Sequence, residues 1–232
     1  MTRDTLDRKT QELLKEVLSL GGMVERAITG AVDALKRRDM EASRRVYQGD
    51  EKINRKRFEI ENETLILIAT QQPMARDLRV MAAILEIVGE LERMGDYAKG
   101  IALISIRIGD TPFVKPLTDI PQMAEITAGM LHRALEAFIA SDIETARQIP
   151  DEDDLVDNLY NQVYRELLTI MLKDPATIDN ATYLLWVAHN LERTADRVTN
   201  ICERTIFVET GEMVEIQNTD DEIQSNHKDW QS

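Results

Sequence analysis

Cysteine is nearly absent from this chain of 232 residues: Cys202 stands alone, so no intrachain disulfide can form and a reducing compartment is expected. Proline and glycine are sparse, at six and ten, and aromatics make up 5%. Sheets draw on aromatic and β-branched residues, so this composition favours helices. Long apolar runs are missing too. "TLILIA" and "LLWVA" fall far short of a membrane span, and the opening "MTRDTLDRKTQ" is polar with no signal-peptide core. The chain is expected to be soluble and cytoplasmic, without direct membrane insertion. Positive charge is in deficit: the formal net charge is -14, which opposes binding to nucleic acid or anionic lipid. No glycine-rich phosphate loop, Ser-His-Asp set or Cys-His pair points to catalysis, and an enzyme is not expected.

What is abundant is helical periodicity. Leu6, Leu13, Val17, Leu20, Val24, Ile28, Ala31 and Leu35 recur at helical spacing. Asp39 can cap a second helix, in which Val46, Ile53, Ile60 and Leu67 keep one phase until Pro73 stops it. A third helix is predicted from about 76 to 108. "GDTPFVKPLTDIP", with three prolines, reads as a linker. A fourth helix carries Met123, Ile126, Met130, Ala134 and Phe138. Ser141-x-x-Glu144 reads as the capping box of a fifth, with a stripe through Ile149, Val156, Tyr160, Val163, Leu167 and Ile170. A sixth is predicted from about 177 to 208. The expected fold is all-α: two tandem antiparallel three-helix bundles packed lengthwise. The division is 1–109 and 122–210, a linker at 110–121 and an acidic tail at 211–232.

The repeat is visible in letters. "ELERMGDYAKGIA" begins at 90 and "NLERTADRVTNIC" at 190, each with Glu-Arg-x-x-Asp: Glu92/Asp96 and Glu192/Asp196. In a helical hairpin, residues equally far from the turn face each other. With the turn at Pro73, Glu92 and Asp96 face Asn54 and Asp50. With the turn at the 174/175 boundary, Glu192 and Asp196 face Asp157 and Asp153. Residues four apart share a helix face, so each half gathers oxygen donors at mid-hairpin. Two carboxylates ~5 Å apart repel by ~3 kcal/mol at an effective dielectric of ~20, and a hard or borderline cation relieves this. The candidate metal ligands are Asp50, Asn54, Glu92, Asp96, Asp153, Asp157, Glu192 and Asp196. The bland reading pairs these acids with Arg55, Arg57, Arg93 and Arg193. A ferritin-like di-iron site would need Glu-x-x-His on two helices; His189-x-x-Glu192 reverses that order and Gly89 stands opposite. His189 is a packed histidine or one further ligand, and Cys202 a small buried hydrophobe.

These residues resemble the PhoU family of phosphate-signalling regulators over about 3 to 210. The resemblance rests on the two-repeat layout, on Glu-Arg-x-x-Asp in both halves, and on "QQPMARDLR" at 71 to 79. It implies a negative regulator of phosphate-starvation signalling and phosphate uptake. The implied partners are a phosphate ABC transporter ATPase subunit, a sensor histidine kinase, or both. It also implies iron or zinc on the repeated acidic pairs, multinuclear in some members. Asn54 departs from the acidic pattern, so the first site is expected to bind more weakly or hold fewer ions. Arg76 and Arg79 either form a partner surface of the first half or pair with acids at a helix start. A homodimer is expected, since long amphipathic helices leave room for an apolar seam. The alternatives are a metal-storage or metal-sensing bundle without a phosphate role, and a plain scaffold with Arg-paired acids.

Overall fold

Apolar stripes too long for one short helix must be buried lengthwise, and the architecture follows from that. The computed structural model describes residues 3–216. Seven α-helices run in order: α1 (Arg3–Arg37), α2 (Met40–Gln71), α3 (Arg76–Ile108), α4 (Asp119–Ala140), α5 (Ile143–Gln148), α6 (Asp153–Lys173) and α7 (Ile178–Thr210). Among the described residues there is no strand. α1, α2 and α3 form one antiparallel bundle. α4, α6 and α7 form the second, with short α5 leading into α6. The bundles meet along α3 against α7 and α1 against α4, while α2 and α6 lie on the flanks.

The predicted stripe of α1 is buried at every position from Leu6 through Leu35, and one hydrophobic core runs through both bundles. A fully buried leucine such as Leu20 contributes roughly 1.5–3 kcal/mol. Gly21 is needed where α1 meets α4: a Cβ there would lie 2.0 Å from Leu135 Cδ1. At Gly95, within the first bundle, the Ile53 side chain lies 3.2 Å from the place a Cβ would take.

The turns follow local chemistry. Asp39 caps α2 by accepting from the Ala42 N–H at 2.8 Å. Gln72 closes α2 in the left-handed region at φ 49°, and Pro73 then forbids continuation. The connection at 110–118 is held in place rather than loose. Arg38 lies 4.8 Å over the Phe113 ring, Asn180 donates to the Pro112 carbonyl at 2.8 Å, and Lys115 pairs with Asp119 and Glu166.

Three expectations need correction. The fifth helix is not continuous: α5 ends at Gln148, and a 3-10 turn, Ile149–Glu152, contains Pro150, which lacks an N–H for the ladder. The stripe through Ile149 and Val156 keeps its phase across the break and hides it. The cap is Asp142, which accepts from the Thr145 N–H at 3.1 Å, and not Ser141. Ser141 instead ends α4 in the left-handed region at φ 57°. α4 also begins within the presumed linker, at Asp119, since Pro121 is tolerated in a first turn. Of the acidic tail, 211–216 has no regular secondary structure, and 217–232 lies outside the described residues, as does His227.

Candidate metal centre

In each hairpin the acids lie within electrostatic reach of one another. In the first, Asp50 sits in the middle of unbroken α2 and is buried. Its Oδ2 accepts from Asn54 Nδ2 at 3.1 Å and from Lys99 Nζ at 2.7 Å. Lys99 also stands 3.6 Å from Asp96 Oδ1, so one ammonium ties α2 to α3. Glu92 is half-buried. Burial, with Asp96 and Asp50 adding and Arg57 opposing, pushes its carboxyl above the usual range. Lys99 was not anticipated; its place three residues after Asp96 and seven after Glu92, on the same helix face, was the available signal.

In the second hairpin the break at Pro150 sets Asp153 at the start of α6, where the helix dipole favours negative charge. Asp153 is 1% exposed, and burial together with Asp157, Asp196 and Glu192 pushes its carboxyl up to about 8. The four acids therefore act on one another, and no lysine stands where Lys99 does. Thr199 occupies that register, and its hydroxyl donates to the Asp196 carbonyl at 2.6 Å. At the rim Arg193 pairs with Asp196 at 3.0 Å. His189 Nδ1 lies 3.3 Å from Glu192 Oε2, between the rings of Tyr160 and Trp186. Burial and Arg193 hold His189 below its ordinary value, with Asp196 opposing.

Of the arginines set against these acids, Arg55 pairs with Glu51 and Arg57 with Glu61, outside the clusters. Arg76 and Arg79 are both engaged with the second half. Arg76 bonds Glu209 and the Ser141 hydroxyl, and Arg79 donates to the Val208 carbonyl at 2.9 Å. Cys202 is fully buried in the core, and burial pushes its thiol up to about 12.

Donor chemistry separates the two clusters. The second offers four carboxylates, one of them buried, which is a hard-oxygen set suited to a divalent cation. The first has an amide in place of one acid and a lysine against its buried carboxylate. Among the described residues no three His, Cys, Asp or Glu side chains are gathered into a set that could hold a metal ion. Loading the second cluster therefore requires its side chains to draw together.

The PhoU domain model matches this chain twice, over residues 17–104 and 120–205, one copy per bundle and each copy ending beyond its Glu-Arg-x-x-Asp segment. The chain belongs to the PhoU family. It is 40% identical over 216 residues to the phosphate-specific transport system accessory protein PhoU homolog of Caulobacter vibrioides, covering 91% of this chain and 94% of that one. The homolog from Clostridium acetobutylicum is 35% identical, over 94% of this chain and all of its own length. The crystal structure of the phosphate transport system regulatory protein PhoU from Streptococcus pneumoniae superposes with a TM-score of 0.85 at 32% identity, covering 91% of this chain and 100% of that one. PhoU-family membership and the all-α repeat fold anticipated from the motifs are thus confirmed.

Proposed function

We propose that this protein is an accessory regulator of a phosphate-specific transport system, not an enzyme, and that it restrains phosphate-starvation signalling and phosphate uptake. The observation that carries the reading is the match of both repeats to PhoU domains, with relatives named as accessory or regulatory proteins along nearly their whole length. No helix among the described residues is long and apolar enough to cross a membrane. In this reading the protein reaches the transporter by docking, on its ATPase subunit or on a sensor histidine kinase, from the cytoplasmic side and as a homodimer. Regulation then amounts to a preference for one conformation of that partner.

A metal ion, iron or zinc, belongs to this reading. Asp153, Asp157, Glu192 and Asp196 would hold it, with His189 beside Glu192. The ion would supply positive charge to a cluster that otherwise repels itself. Asp153 at the start of α6 and Glu192 and Asp196 on α7 fix the two helices at one level, so drawing these groups together stiffens the outer hairpin of the second bundle.

The deciding experiment is deletion of the gene in its own host, with a phosphate-starvation reporter and phosphate uptake measured in replete medium. Derepression, reversed by the wild-type chain, is the expected outcome. An unchanged reporter and unchanged uptake would refute the regulatory role. Purified ATPase subunit and kinase domain, each tested for binding by calorimetry, then identify the partner.

A further inference from the structure

The two carboxylate clusters share a register and differ in what faces the buried aspartate. Asp50 Oδ2 already receives two donors from its own cluster, Lys99 Nζ at 2.7 Å and Asn54 Nδ2 at 3.1 Å. The ammonium also reaches toward Asp96 and lies 5.7 Å from the centre of the Tyr47 ring. It thus bridges two of the acids that would have to share an ion and is braced by a third group. A divalent cation arriving at Asp50 would meet a fixed positive charge and would have to displace it into solvent. It would find one acid fewer to compensate, because Asn54 stands where the second half has Asp157. In the second half the register of Lys99 is held by Thr199, which is neutral and turned to its own backbone, and the cation there, Arg193, pairs with Asp196 at the rim.

We propose that the first-half cluster is not a metal site: Lys99 is its resident cation, so any metal the chain takes up belongs to the second half. This rests on the metal reading of Asp153, Asp157, Glu192 and Asp196 given above. The ammonium at 2.7 Å holds Asp50 through Oδ2, while Oδ1 is buried without a hydrogen-bond partner, so the first hairpin is tied by Lys99 at one carboxylate oxygen whatever the metal supply. Only the second hairpin is left to respond to it.

The test uses the full chain loaded anaerobically with ferrous iron and, separately, with zinc. Bound metal is counted by mass spectrometry after desalting, and melting is followed with and without the ion. Asp50→Asn should keep the wild-type metal content, and Asp153→Asn/Asp196→Asn should lose it. Adding Lys99→Thr and Asn54→Asp to that double variant should create a site: an ion is retained per chain, and its addition raises Tm. Lys99→Arg in place of Lys99→Thr should retain none. Loss of metal from the wild type on Asp50→Asn would overturn the proposal. So would a folded Lys99→Thr/Asn54→Asp graft that takes no ion, with Lys99→Met as the second version should the first fail to fold. A wild type that loads nothing sinks the second-half reading alone, because the graft still decides the first half.

Discussion

Asp50 and Asp153 hold equivalent places in the two hairpins and live in opposite surroundings. A lysine and an amide press against the first, while three further carboxylates surround the second. α2 runs unbroken past Asp50, whereas Pro150 interrupts the chain just before Asp153 and gives it a helix start. A duplicated fold thus keeps the three-helix layout on both sides and places the difference in one helix break and a few side chains. The first hairpin sets a lysine against its buried aspartate, whereas the second sets carboxylate against carboxylate.

The largest effect should come from that repulsion. The metal-free folded state holds a proton on Asp153 up to about pH 8, whereas an unfolded chain releases it near pH ~4. The stability contributed by that retained proton is complete below the unfolded value and is lost as pH rises through the folded one. Denaturant titrations of metal-free protein should therefore show stability falling between these limits. Asp153→Asn should flatten the slope and be the more stable form at high pH by about 2–5 kcal/mol. Identical slopes for the two proteins would mean that the second cluster is not strained, and the contrast between the halves would disappear.

A smaller effect is expected at the contact on which both halves depend. Gly21→Val drives a side chain into Leu135, which is buried, and should cost about 1–3 kcal/mol by overpacking, read from the midpoint of urea unfolding. One cooperative transition should persist, because a single core runs through both bundles. Two transitions would show the halves to be independent.

Lys99→Met tests the neutralised hairpin. It leaves buried Asp50 without its ammonium, and the cost should be about 1–3 kcal/mol, less than for a fully buried pair because Lys99 is a third exposed. The same measurement on Thr199→Val should show well under half of that. Equal effects would remove the distinction drawn between the registers. Last, Arg76→Ala cuts a half-exposed tie from the first bundle to Glu209 and should cost no more than ~1 kcal/mol by thermal melting.

The sequence foretold the fold because helical phase and turn position are both written locally. Pro73 and the 174/175 boundary gave the hairpin register, and the register predicted that Asp50 and Asp96 would meet; Lys99 now joins them. What escaped has physical reasons. Pro150 was invisible to a periodicity argument because the apolar stripe resumes in phase beyond a 3-10 turn. Ser141 and Asp142 are both good caps, and only the need of α4 for a left-handed residue at its end decides between them. Lys99 was overlooked because the cluster was defined by its acids, although a cation among buried carboxylates is as informative as another carboxylate. The ties of Arg76 and Arg79 to the second half depend on how the bundles meet, which no local pattern carries.

The segment between the bundles has a consequence for how the molecule comes apart. Phe113 is held under Arg38, the Pro112 carbonyl by Asn180, and Lys115 by Asp119 and Glu166, while α3 and α7 lie against each other along their length. Covalent continuity at 112–117 is therefore nearly redundant. A protease nick there should yield two fragments that travel as one particle, and the fragments made separately should reassemble on mixing. The repeats are halves of a single body rather than beads on a string.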